Sequence, residues 1–154
     1  MGYFSSIGPI YFCLSVITKI NATDDELAAL IGHEIAHALR DHGREKVSKK
    51  LLTGLGVLAA SSAGLGDMVV SGTSLLGDYG VNLPGSRKLE SEADLLGVDI
   101  MVRAGYNPQG AISFWNKVVA QEKQGTKIDF LSTHPTSEKR IVAIQDYINQ
   151  NYRK

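Results

Sequence analysis

Apolar positions along the chain form one run of β-type residues followed by several stretches with a helical period. Residues 1–20, MGYFSSIGPIYFCLSVITKI, are apolar, β-branched and aromatic, with Lys19 the only charged side chain, which predicts a strand or two. Thr23 followed three residues later by Glu26 is a capping-box pattern, and Asp24 and Asp25 place negative charge where a helix dipole is positive. A helix begins there. Leu27, Leu30, Ile31, Ile35 and Ala38 recur at helical spacing and Gly43 can stop the element, so about nineteen residues of amphipathic helix are predicted. Ser86 can cap a second helix running to about Ala104 and closed by Gly105. Asn107 with Pro108 opens a third, and a fourth runs from about Ser137 to Tyr152 with Ile141, Ile144 and Ile148 on one face.

Between the first two helices a basic stretch, Arg44 to Lys50, precedes an apolar, small-residue run from Leu51 to Leu65. That run falls short of the roughly 20 apolar residues of a membrane span, so it reads as a buried or half-buried helix. Glycines, serines and Pro84 from Gly66 to Gly85 mark a flexible connection that could serve as a lid. No internal repeat is visible. With 154 residues the chain is expected to form a single domain, 1–154, of mainly α (α+β) class with a short N-terminal strand or hairpin.

Composition narrows the chemistry. Sixteen Lys and Arg balance sixteen Asp and Glu, which leaves no bulk field for a nucleic-acid backbone or an anionic bilayer, so no nucleic-acid partner is expected. Cys13 is the only cysteine, so neither an internal disulfide nor a thiolate zinc site is available, and Cys13 reads as core. Any metal must be held by His, Asp and Glu. A basic start and small cleavage-site residues are both lacking, so a secretion signal is not expected. Bulky Tyr11 and Phe12 ahead of Cys13 also argue against lipid attachment.

The run His33-Glu34-Ile35-Ala36-His37 lies in the middle of the first predicted helix. Residues four apart share a helix face, so both imidazoles can point at one metal, with Zn–N distances of about 2.0 to 2.1 Å. Glu34, one residue after the first histidine, can reach a water in the metal's open position and act as general base. A catalytic zinc needs a third protein ligand. Glu90 and Asp94 are four apart in the second helix, while Glu92 is rotated about 200 degrees from Glu90. The economical assignment makes Glu90 the ligand and Asp94 the acceptor that fixes the ring nitrogen of a ligating histidine. The competing reading is a solvated helix face.

These residues resemble the HtpX, CAAX-prenyl-protease and Oma-type zinc metallopeptidases. The matching pieces are D-E-L-A-A-L-I-G-H-E-I-A-H-A-L at Asp25 to Leu39, E-S-E-A-D at Glu90 to Asp94, A-G-Y-N-P at Ala104 to Pro108, and S-T-H-P at Ser132 to Pro135 followed by Arg140. The resemblance implies a helical, minigluzincin-like core and a zinc-dependent endopeptidase acting on extended polypeptide. It implies His33, His37 and Glu90 as ligands to one Zn2+ per chain, with Glu34 as catalytic base. It also suggests that His134 lies close to the active site. There its imidazole could donate to a developing oxyanion, the alternative being a loop histidine. Arg140 is read either as holding a carboxylate near the site or as a solvated helix residue. Relatives of this kind are often in the bacterial cell envelope or periplasm, and peripheral membrane association stays open.

The departure is at the N-terminus. Val16 to Asp25 resembles the end of the substrate-binding hairpin found before the zinc helix in the family, but Met1 to Ser15 does not. This puts substrate binding in question more than zinc binding. The rival from another class is therefore a zinc-binding, proteolytically weak chaperone-like or partner-binding module, and a third is a helical protein with a chance motif. Glu34, which a purely structural zinc site would not need, favours the enzyme.

Overall fold

A computed structural model describes residues 16–40, 42, 84–126, 128 and 130–152. The elements are α1 (Asp24–Leu39), α2 (Pro84–Arg103), α3 (Gln109–Lys123), a short α4 (Phe130–Thr133) and α5 (Glu138–Asn151). No strand occurs among the described residues, in keeping with a mainly α metallopeptidase core. The apolar run 51–65, the basic stretch before it, the connection up to residue 83 and residues 1–15 lie outside the described residues. No described helix is long and apolar enough to cross a membrane.

One part of the predicted N-terminal strand is helical instead. Residues 16–20 form a helical stretch in which Val16 and Ile20, four apart, are 0% and 5% exposed while Thr18 and Lys19 face solvent. β-branched residues prefer strands only in the right surroundings, and here burying one side of a helix outweighs that preference. Asn21, at φ 48°, ends the stretch in the left-handed region that Asn tolerates better than most residues.

Local chemistry then starts α1 as the sequence predicts. The Thr23 N–H donates to Glu26 Oε2 at 2.8 Å and the Glu26 N–H donates to Thr23 Oγ1 at 3.4 Å. Glu26 is buried, and Lys117 Nζ from α3 meets its Oε2 at 2.7 Å, so the cap also fastens α3 to α1. At the other end of the connection to α3, the Asn107 N–H donates to Asp25 Oδ1 at 2.9 Å, and Asn107 Oδ1 accepts from Gln109 N at 3.0 Å. Asn107 thus caps α3, with Pro108 already helical at φ −60° and ψ −22°. The second helix begins two residues ahead of its predicted cap at Ser86, with Pro84 in first place, where a missing N–H costs no hydrogen bond. It closes at Gly105, whose φ of 90° allows Tyr106 N to reach back to Met101 O at 3.0 Å. Ser137 caps α5 through Arg140 N.

Helices α1 and α2 form the central pair, α3 packs on α1, and α5 packs on α2 and α3. The α1–α2 crossing needs glycine on both sides. A Cβ on Gly32 would stand 2.6 Å from Gly97 O, and one on Gly97 would stand 2.8 Å from His33 N. The backbones therefore meet beside His33, which brings the motif of α1 against the carboxylates of α2. Leu30, Val98, Met101, Phe114, Trp115 and Ile144 fill the space between the helices.

The buried face of α1 differs from the one its hydrophobic period suggests. Ile31 and Ile35 are 45% and 41% exposed, whereas Glu26, Leu30, Gly32, His33 and Ala36 are buried. Close approach and site chemistry, rather than hydropathy, choose the inward face. Ile31 and Ile35 instead line an apolar cleft of about 300 Å³ with Ile100, Met101 and Tyr106, and none of the candidate site residues borders it.

Candidate metal centre

His33 and His37 lie one turn apart on α1, with their Nε2 atoms 3.1 Å from each other. Glu90, 1% exposed on α2, puts Oε2 at 3.3 Å from His33 Nε2 and Oε1 at 3.4 Å from His37 Nε2. From the segment after α4, His134 Nδ1 comes within 2.9 Å of Glu90 Oε2 and 3.3 Å of His33 Nε2. All four residues offer a ligand atom within 4.8 Å of one another. Ligands about 2.0 to 2.1 Å from a tetrahedral zinc stand about 3.4 Å apart, so the spacing of these donors fits such an ion. Glu34, whose side chain is 15% exposed, holds Oε1 at 3.4 Å from His134 Nε2, beside the cluster.

Asp94 and Arg140 stand directly behind His33. Asp94 Oδ1 is 2.9 Å from His33 Nδ1, on the side of the ring away from the other donors. Arg140 donates from Nε to Asp94 Oδ2 at 2.7 Å and from Nη2 to Oδ1 at 2.8 Å, a two-pronged grip on a buried carboxylate. Its Nη1 donates to Pro135 O at 2.6 Å, which ties the His-Pro segment, and so His134, to the same anchor. The guanidinium lies 4.2 Å over the Trp115 ring, and Phe130 stacks on His134 with centroids 4.5 Å apart. The structure thus brings His33, Glu34, His37, Glu90, Asp94, His134 and Arg140 into one neighbourhood, while Glu92 stays outside the donor cluster.

Peptidase family M48, as a family model, matches residues 2–148. The chain belongs to that family. The M48 match takes in residues 2–15, ahead of the part that resembles the hairpin end. Mitochondrial metalloendopeptidase OMA1 of Schizosaccharomyces pombe is 37% identical over 127 residues, covering 81% of this chain and 37% of that protein. OMA1 of Saccharomyces cerevisiae is 37% identical over 136 residues, 84% of this chain and 38% of the relative. Metalloprotease LoiP of Escherichia coli is 32% identical over 126 residues, 80% and 50%. The chain therefore spans between about a third and a half of the length of these relatives. No solved structure matches it. M48 proteases are metal-dependent, and the His and Glu group of this chain could hold a metal.

The electrostatics of the cluster separate its two helix histidines. Burial works against a charged His33, but Asp94 and Glu90 outweigh it and push the ring up to about 9. For His37 burial dominates, Glu90 only partly offsets it, and positive charge on His33 and His134 adds to it, bringing the ring down to about 4. Burial would raise Glu90, yet hydrogen bonds from His134, His33 and His37 hold it far below the usual carboxylate range. Asp94 is likewise lowered against its burial by His33 and Arg140. Of these candidate donors, Glu90 is thus kept ionised and His37 neutral, the forms in which they could bind a metal, whereas His33 would first have to release a proton.

Three residues that sequence reasoning passed over shape the site. Trp115 and Phe130 form its apolar wall, and nothing in a helical period distinguishes them from ordinary core. The third is His42, 2% exposed, whose Nδ1 is 2.8 Å from His37 Nδ1. The predicted first helix runs to Gly43 and so takes in His42, but α1 ends at Leu39. His42, five residues after His37, reaches the site from beyond that end, where the helical period does not place it.

Proposed function

We propose that this chain is a zinc-dependent metalloendopeptidase that hydrolyses internal peptide bonds of extended or unfolded polypeptide segments. The observation that carries this reading is the donor set of His33, His37 and Glu90, with Glu34 beside it and Asp94 behind it. The OMA1 relatives are metalloendopeptidases, which supports cleavage within a chain.

His33, His37 and Glu90 would hold the ion. Bound zinc supplies Lewis acidity, which brings the pKa of a coordinated water to about 7 and polarises a carbonyl. Glu34 takes a proton from the attacking water and delivers it to the leaving amine, so one carboxylate serves as base and then as acid. His134, beside Glu34, donates to the carbonyl oxygen as negative charge develops there. Asp94 holds the His33 ring in place, and Arg140 keeps Asp94 ionised and oriented while fixing the backbone after His134.

One observation favours the alternative, a zinc-binding but proteolytically weak module. His134 Nδ1 belongs to the cluster of four donor atoms within 4.8 Å, and four protein ligands would leave no position for water. Metal analysis paired with casein cleavage, with and without chelator, decides between the two. The parent should hold one zinc and lose activity on chelation. Glu34→Gln should keep zinc and fold while losing roughly 10²- to 10⁴-fold in rate. A Glu34→Gln chain within a few fold of the parent, or a zinc-loaded parent with no cleavage, would overturn the enzyme reading.

A further inference from the structure

The side of His37 away from the donor cluster is occupied by a residue that neither the motif nor the mechanism uses. His37 Nε2 is the nitrogen near His33 and Glu90, at 3.1 and 3.4 Å. An imidazole that ligates through Nε2 carries its proton on Nδ1. That Nδ1 lies 2.8 Å from His42 Nδ1, with the two rings edge to face at 76° and their centroids 4.9 Å apart. Two ring nitrogens this close cannot both carry protons, and two bare lone pairs would repel, so one donates and the other accepts. With the His37 proton fixed on Nδ1 by ligation, His42 Nδ1 is the acceptor. A neutral His42 then carries its own proton on Nε2, 3.7 Å from Glu92 Oε2, whose second oxygen pairs with Arg40 Nε at 3.0 Å.

We infer that His42 is a positioning residue for the metal centre: its Nδ1 accepts the Nδ1 proton of His37 and so fixes the tautomer and rotation of that ligand. The inference rests on the reading of His37 as a ligand. It gives His37 the kind of support that Asp94 gives His33, but through a neutral ring. At 2% exposed, His42 is shielded from water that would compete for the same hydrogen bond. Partners of this kind typically contribute 10- to 100-fold in metal affinity. A neutral acceptor forms a weaker hydrogen bond than a carboxylate, which points to the lower part of that range.

The test measures zinc affinity by chelator competition in the full chain, together with the visible spectrum of the Co2+ form and the melting temperature without metal. His42→Phe keeps a ring and removes the acceptor, while His42→Asn returns an acceptor near the place of Nδ1. His42→Phe should bind zinc roughly 10-fold more weakly and shift the Co2+ bands, and His42→Asn should recover most of both. Metal-free melting temperatures should stay close to the parent's. Parent-like zinc affinity in His42→Phe, or an equal loss in two folded variants, would overturn the proposal. Should His42→Phe not fold, nitrogen-15 correlations of the zinc-loaded parent still decide. They should show His37 protonated on Nδ1 and His42 on Nε2, and a proton on His42 Nδ1 would be fatal. Failure of the ligand reading is separately visible, because a His37→Ala chain that keeps stoichiometric zinc refutes that reading and the inference with it.

Discussion

Behind His33 and His37, one turn apart on the same helix, the protein has built two different supports. His33 backs onto Asp94, whose carboxylate is gripped at two points by Arg140, and all three side chains are at most 7% exposed. His37 backs onto His42, and the chain then runs outward through Glu92, 37% exposed, to Arg40, 56% exposed. Both branches run from a candidate ligand through an acceptor to an arginine, directly from Asp94 in one and by way of Glu92 in the other, yet one is sealed and the other opens to solvent. The acid–base character follows the surroundings rather than the residue type. At His33 Asp94 and Glu90 together outweigh burial and push the ring up to about 9, whereas at His37 burial outweighs Glu90 alone and takes the ring down to about 4.

The same substitution made in each branch should break them apart, and the larger effect belongs to the sealed one. Arg140→Met strips the guanidinium from a buried carboxylate, removes the stacking on Trp115 and frees Pro135 O. Removing one partner of a buried ion pair costs about 3 to 5 kcal/mol. Urea unfolding of the metal-free variant should show a loss of that order, with weaker zinc binding because Asp94 no longer has a fixed position. A stability within about 1 kcal/mol of the parent would show that the Arg140 pair behaves like an exposed one.

The pH response comes next, because the two histidines depart from 6.5 in opposite directions. His33 binds its proton more tightly in the folded chain, so its contribution to metal-free stability is complete below 6.5 and is lost as pH rises through about 9. His37 does the reverse. Its contribution is present above 6.5 and is lost as pH falls through about 4, where Asp94 and Glu90 add to the loss because both stay ionised in the folded chain while their unfolded counterparts take up protons. The melting temperature of the chelated chain should therefore peak near neutrality and decline on both sides. Zinc affinity should move the other way on the alkaline side, rising from pH 6.5 to 9 as His33 gives up its proton. Melting temperatures of the chelated chain that stay flat between pH 6.5 and 9 would contradict the raised His33.

The sealed branch was largely legible in the sequence and the open one was not. His33, His37, Glu90 and Asp94 sit at four-residue spacings within helices whose starts the sequence marks to within two residues, so local rules place each pair on one face. Thr23 with Glu26 likewise caps where it was read, and Ser137, read only as the start of the fourth helix, proves to be its cap. The helical stretch 16–20, read as strand, and the outward Ile31 and Ile35 depended on what the fold packs against them. The Gly32–Gly97 approach, a contact between distant parts of the chain, helps to set the inward face of α1. His42 comes after α1 has ended, and the donor position of His134 depends on Arg140 holding Pro135, neither of which any period encodes.

The smallest expected effect is at the outer end of the open branch. Arg40→Met removes the partner of Glu92, but both groups are more than a third exposed, and exposed ion pairs contribute about 0 to 1 kcal/mol. The variant should unfold within about 1 kcal/mol of the parent, and any difference should shrink as salt is added. Glu92 should matter slightly more for metal than for stability, since at 3.7 Å from His42 Nε2 it favours the tautomer that leaves Nδ1 free to accept. Water can replace a half-exposed carboxylate in that task, so Glu92→Gln is expected to change zinc affinity by only a few fold, less than His42→Phe, and Arg40→Met less again. That descending order distinguishes a chain of support that weakens toward solvent from a surface patch without influence on the centre. If Arg40→Met weakened zinc binding as much as Arg140→Met, the two branches would be equivalent and solvent exposure would not be what separates them.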